Sequence, residues 1–179
     1  MTVRIVTDSS CDLPQQVADS LGISIVPLKI SFGHEEYVDR TTITADEFWR
    51  RCAASAELPQ TAAPSEGDFA KVYQQLKSEG ATGIVVIALS SSLSATMQSA
   101  VNAAKSMAET IDIRVVDSRN ASLGVGLTSV ECAERARAGD PIDRIVAMAE
   151  SLVPRTHVFG ALDTLENLKK GGRIGGAKA

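Results

Sequence analysis

Three short polar runs in this 179-residue sequence carry side chains suited to holding an anion or a metal: Thr7-Asp8-Ser9-Ser10, Ser90 to Thr96, and Asp117 to Ser122. The middle run leads into a helical pattern, and hydroxyls beside unpaired amide N–H groups at a helix N-terminus make a ready site for a carboxylate or phosphate. In that place Ser94 also reads as a plain N-cap. Thr61 lies between Pro59 and Pro64, where a hydroxyl can be presented on a stiffened loop, although a threonine in such a turn also reads as a local backbone hydrogen-bonder. Asp8, Asp12 and Asp117 could hold Mg²⁺ with phosphate oxygens, since that ion often uses only one or two carboxylates; the same aspartates also read as solvated or capping groups.

Other chemistries lack their residues. A serine hydrolase needs a base beside its nucleophile, yet there is no GxSxG elbow, and His34 and His157, the only histidines, sit in segments without a triad signature. Gly124-Val125-Gly126 opens a helix after a strand, but Ser129 stands where GxGxxG requires its third glycine. A close approach of helix to strand is the simpler use of these glycines. There is no GxxxxGK[ST] P-loop. Cys11, Cys52 and Cys132 are far apart with no CxxC pair, which speaks against a disulfide framework or a zinc site and for small semi-buried thiols in a reducing cytoplasm.

The polar runs fall where predicted strands end. Val3 to Thr7 is a β-branched strand, followed by a short amphipathic stretch from Leu13 to Leu21 that stops at Gly22. Gly83 to Leu89 is nearly all apolar without alternation, the pattern of a strand buried on both faces at the centre of a parallel sheet. Ile113 to Val116 is a further strand, and His157 to Ala161 another. Ser24 to Pro27 and Leu28 to Phe32 are short extended runs, Gly33 to Asp39 a polar loop, and Leu58 to Pro64 an irregular segment.

Helices are expected after Thr44 and after Ser65, each with a carboxylate three residues on, from Ser94 through Met107, from Ser122 to Ala138, after Asp140-Pro141, and over Leu162 to Lys170. Gly171 to Gly176 reads as a flexible close. This alternation predicts an α/β fold, a three-layer α/β/α domain on a mostly parallel sheet, with ligands at the carboxyl ends of the strands.

A hydrophobic content of 44% supplies one core and part of a second. The net charge of −4 offers no broad basic surface for nucleic acid. The N-terminus lacks the charged, apolar and small-residue segments of a secretory signal, and no run approaches the roughly 18 apolar residues of a membrane span, so a soluble cytoplasmic protein is expected.

Taken in order, Ile5 to Pro14, Val26-Pro27-Leu28 with Phe32-Gly33, Tyr37-Val38-Asp39, Gln60 to Ser65, Leu89 to Thr96, Val116-Asp117-Ser118 with Ser122 to Gly126, and Leu168 to Ile174 resemble the DegV family, which includes the fatty-acid-binding subunits of bacterial fatty acid kinase. The resemblance spans almost the whole chain. It implies a buried long-chain fatty acid, such as palmitate, whose carboxylate is held by hydroxyls at the positions of Thr61 and Ser94, with Ser9, Ser91, Ser118 and Arg173 as second-tier ligand contacts. Ala62 and Ala95 depart from the family's usual serine and glycine but leave both hydroxyls in place.

The resemblance further implies residues 1–160 as a lipid-binding lobe and 161–179 as only the beginning of a second lobe. The implied role is a lipid carrier without cofactor or catalytic base, serving lipid metabolism or presenting its fatty acid to an ATP-dependent kinase subunit. The alternative from the residues is a Mg²⁺-dependent phosphate-ester or nucleotide-binding enzyme built on Asp8, Asp117 and the Ser90 to Thr96 loop.

Overall fold

The computed structural model describes residues 2–55 and 57–173. Its main sheet has four parallel strands in the order β2 (Ile23–Val26), β1 (Val3–Asp8), β6 (Gly83–Ala88) and β7 (Asp112–Asp117). Every residue of β6 is buried, so this strand is apolar on both faces while the edge strand β7 alternates. Successive side chains of β6 leave the sheet on opposite sides. Val85 and Ile87 join Ile5, Val125, Cys132 and Ile145 under α1 (Gln15–Leu21), α5 (Leu123–Arg137) and α6 (Ile142–Leu152). Ile84 and Val86 join Val6, Phe69, Tyr73, Ala100 and Ala103 under α3 (Glu66–Ser78) and α4 (Thr96–Ser106). Each such side chain contributes about 1.5–3 kcal/mol by leaving water, and that burial holds the three layers together.

A second, antiparallel sheet in the order β4 (Glu35–Val38), β3 (Lys29–Phe32) and β5 (Gln60–Ala62) departs from the carboxyl end of β2. It corrects two expectations. Gly33 to Asp39 is not a loop: Gly33, at φ +59°, makes the turn that returns the chain as β4 beside β3. Leu58 to Pro64 is not wholly irregular, because Gln60 to Ala62 pairs with Ser31 to Lys29. Neither strand carries a buried side chain, so neither shows the apolar alternation that marks a half-buried strand. Their ladders come from β3. α2 (Ala45–Ala54) starts where Thr44 accepts the Glu47 N–H at 3.2 Å, and its Phe48 meets Phe32 with ring centroids 5.8 Å apart.

The end of the chain also differs from expectation. His157 to Ala161 forms no strand and pairs with none among the described residues, and the last described helix, α7, covers only Glu166–Lys170. Asp140 does not cap α6; its carboxylate instead faces Arg144 at 3.5 Å and Arg135 at 3.9 Å. Gly171 and Gly172 make a turn, while Ile174 to Gly176 lie outside the described residues. Gly124 and Gly126 serve close packing, but against a turn and not a strand. A Cβ on Gly126 would stand 2.4 Å from the Cys11 carbonyl oxygen and 3.0 Å from Leu13, and one on Gly124 would strike Asn120 and Val158.

Candidate functional site

Parallel pairing sends the carboxyl ends of β1, β6 and β7 to the same edge, and the polar runs follow them there as expected. The loop after β6 is built differently from the amide cradle its sequence suggested. Ser90 N–H donates to the Asn120 carbonyl, Ser91 N–H to Asp117 Oδ1, and Ser92 N–H to Ser90 Oγ. Leu93 and Ser94 N–H both donate to the Ser90 carbonyl, and Thr96 N–H donates to Ser94 Oγ at 3.2 Å. The amides of Ser90 to Ser94 and of Thr96 are therefore committed within the protein. Ser94 Oγ stands half-buried, 2.8 Å from the hydroxyl of the fully buried Thr96.

Two aspartates of the proposed metal set, Asp8 and Asp117, are engaged as well. Asp8 is 1% exposed and accepts from Leu89 N–H at 2.8 Å, Ser10 N–H at 3.1 Å and Ser10 Oγ at 2.5 Å. Burial pushes its carboxyl above the ordinary value, against those bonds. Asp117 accepts from Ser91 Oγ at 2.6 Å and from the Ser91 and Arg119 N–H groups. Asp12 occupies a left-handed turn at φ +51°. Among the described residues, no three His, Cys, Asp or Glu side chains are grouped to hold a metal. At Asp8 and Asp117, loop amides and hydroxyls already occupy the carboxylate oxygens.

Thr61 lies elsewhere, on the exposed edge strand β5 opposite Ile30. It borders an open cleft of about 760 Å³ together with Cys52, Leu58, Asn167, Lys170 and Arg173. The cleft brings a hydroxyl, an amide and two cationic side chains together, which suits an anionic head group, while Cys52 is a half-buried thiol whose pKa burial raises. Ser94 is not among the residues bordering it. Thr61 and Arg173 thus border the same cleft.

The sequence matches the family described as "Uncharacterised protein, DegV family" over residues 2–179. The chain belongs to the DegV family. A DegV domain-containing protein of Listeria monocytogenes is 30% identical over 177 residues, covering 99% of this chain and 62% of the relative. The solved structure "Fatty Acid Binding of a DegV family Protein from Thermus thermophilus" shares 38% identity at a TM-score of 0.88, with 98% of this chain and 62% of that one covered. A stearic acid-binding protein from Eubacterium ventriosum shares 29% identity at a TM-score of 0.81, with 97% and 60% covered. The chain therefore spans about three fifths of the length of these relatives.

In this DegV-family chain, three of the second-tier candidates work inside the protein. Ser9 Oγ accepts the Leu28 N–H at 3.0 Å and ties the root of the small sheet to the exit of β1. Ser91 bonds Asp117, and Ser118 Oγ bonds the Asn120 backbone. Arg173 alone of that tier borders the cleft. Lys170 and Asn167 were not singled out from sequence. Lys170 lies within the Leu168 to Ile174 motif, but only the fold of α7 beside β5 reveals the neighbourhood it shares with Thr61. Asn120 was also missed: its carbonyl holds Ser90, and its side chain donates to the Ser118 and Thr156 carbonyls, joining two loops to the chain beyond α6.

No helix among the described residues is long and apolar enough to cross a membrane.

Proposed function

We propose that this chain binds a long-chain fatty acid and contributes hydroxyls of Thr61 and Ser94 to its carboxylate. The observation that carries the reading is the likeness over 98% of the chain to a fatty-acid-binding DegV structure at a TM-score of 0.88, with both hydroxyls present on that fold. At Ser94 the chemistry is favourable. Thr96 N–H donates to Ser94 Oγ, and the two hydroxyls lie 2.8 Å apart with either able to donate; when the Thr96 hydroxyl donates, the single proton of Ser94 is free for a carboxylate oxygen. Arg173 supplies charge on the Thr61 side of the head group. The acyl tail contributes about 0.8 kcal/mol for each CH₂ removed from water and so dominates affinity.

In this reading residues 1–160 form the head-group lobe and 161–179 begin a second lobe that covers the tail. Val158, Phe159, Leu162, Leu165 and Leu168 are exposed and offer apolar surface for that purpose; Phe159 is 92% exposed. The bound acid is a cargo for lipid metabolism, and an ATP-dependent fatty acid kinase subunit is the proposed recipient.

Native mass spectrometry with lipid extraction tests the reading. A C14 to C18 acid should co-purify, or added palmitate should bind. Thr61→Ala and Ser94→Ala should each weaken palmitate binding by about 1.5–3 kcal/mol, the worth of a hydrogen bond to a charged group. Absence of any bound or bindable fatty acid would reject the carrier role, and unchanged affinity in both variants would reject this head-group site.

A further inference from the structure

We propose that Asp8 and Asp117 are positioning residues for Ser94: their carboxylates grip the backbone on either side of the loop after β6 and set the place from which that hydroxyl projects. The inference rests on the fatty-acid reading above and adds to it the part that builds the Ser94 half of the site.

The geometry comes from the sheet. β6 lies between β1 and β7, and each neighbour ends in an aspartate at the level where β6 gives way to its loop: Thr7 pairs with Ile87, and Ala88 with Asp117. Asp8 reaches across from one side and accepts the Leu89 N–H at 2.8 Å. Asp117 reaches from the other and accepts Ser91 twice, from N–H at 3.2 Å and from Oγ at 2.6 Å. The residue held between them is Ser90. Its carbonyl receives both the Leu93 and the Ser94 N–H, at 2.9 Å and 3.2 Å, so fixing Leu89 and Ser91 fixes the anchor of Ser94.

Charge explains why carboxylates hold these points. Among the described residues, no lysine, arginine or histidine approaches either carboxylate within 4.0 Å. Asp8 is 1% exposed and Asp117 half-buried, and a carboxylate withdrawn from water without a cation persists only when hydrogen bonds replace that water. Here the replacements are backbone N–H and hydroxyl donors of the loops themselves, and bonds to a charged acceptor are the stronger kind. The anion that the Ser91 amide could have received from a ligand is thus supplied by Asp117. The ligand then meets a loop already set in place, which reduces the ordering cost of binding.

A double-mutant cycle on palmitate affinity tests this. Asp117→Ala should weaken binding about five- to tenfold, less than the loss of a direct bond to a charged group because Asp117 acts on the ligand only through Ser94. It should have little further effect when Ser94→Ala is already present, because the two changes act through one hydroxyl. Asp117→Asn should recover part of the loss, since its amide oxygen still accepts the Ser91 N–H and its NH₂ can donate to Ser91 Oγ.

For the buried Asp8, Asp8→Asn should move the Leu89 amide proton resonance upfield and weaken palmitate binding while the rest of the amide spectrum stays folded. Should Asp117→Ala not fold, Asp117→Asn and Asp8→Asn carry the same cycle. Equal losses with and without the Ser94 hydroxyl would overturn the positioning role alone, as would unchanged affinity in the aspartate variants while Ser94→Ala weakens binding. Unchanged affinity in Ser94→Ala would overturn the head-group reading and the positioning role with it.

Discussion

Ser94 projects from a loop whose amides from Ser90 to Ser94 are all bonded within the protein, at the edge of a sheet buried on both faces. Thr61 projects from a three-residue edge strand that is exposed at every position. The first region gets its order from the core. The second gets it from one backbone ladder and from an aromatic contact between β3 and α2, a helix with no buried residue. Two hydroxyls proposed for one carboxylate therefore stand on supports of very different stiffness. In such an arrangement the rigid side sets the position of the head group, and the exposed side carries most of the adjustment on binding.

Contrasting truncations give the largest test of this difference. Phe69→Ala, at a fully buried position beside Tyr73, should cost about 3–5 kcal/mol. Trp49→Ala, at 68% exposure on α2, should stay within about 0.5 kcal/mol. Denaturant unfolding measures both, and similar costs would erase the distinction between the regions. Next in size is Gly126→Ala. Its Cβ would be driven into the Cys11 carbonyl and Leu13, so α5 must shift away from the turn after β1 at a cost of about 1–3 kcal/mol, read as a lower unfolding midpoint. No loss would mean that this side of the core yields more readily than its packing implies.

Ser65→Ala is the smallest of the three and sharpens the comparison at the start of α3. Ser65 and Asp68 form a reciprocal capping box, and loss of an N-cap hydroxyl costs about 1 kcal/mol. The effect should depend on pH. The Ser65 hydroxyl, and then its N–H, hold the Asp68 carboxyl below the ordinary value, so the folded state takes up its proton less readily than the unfolded one. The bond's contribution is present above about pH 4 and is lost as pH falls through the lowered folded value. Thermal melts of both proteins should therefore converge in acid.

Much of the main domain was legible in sequence. The uninterrupted apolar run of β6, the stop at Gly22 and the hydroxyl caps Thr44 and Ser65 each have a local cause, and each falls where it was expected. The small sheet was not legible. Glu35-Glu36-Tyr37-Val38 and Gln60-Thr61-Ala62 hide no side chain from water and become strands only through β3. The expected strand at His157 to Ala161 failed for the converse reason: its pattern suits a strand, but it pairs with no strand among the described residues. At the candidate site, Ser94 and Thr61 were visible as hydroxyls in motifs. Lys170 and Asn120 were not, because their neighbours are distant in the chain.

By itself the sequence determined that hydroxyls and aspartates would gather at the carboxyl ends of parallel strands, since the period of its apolar residues specifies strands, helices and their order. Only the tertiary structure decided what those polar groups do. Asp8 and Asp117 looked equally suited to a cation or to a loop, and the approach of Leu89 and Ser91 N–H groups made them loop acceptors. A carboxylate's role depends on which donor lies within about 3 Å, and that distance is set by strand pairing across some eighty residues of chain, beyond the reach of any local pattern.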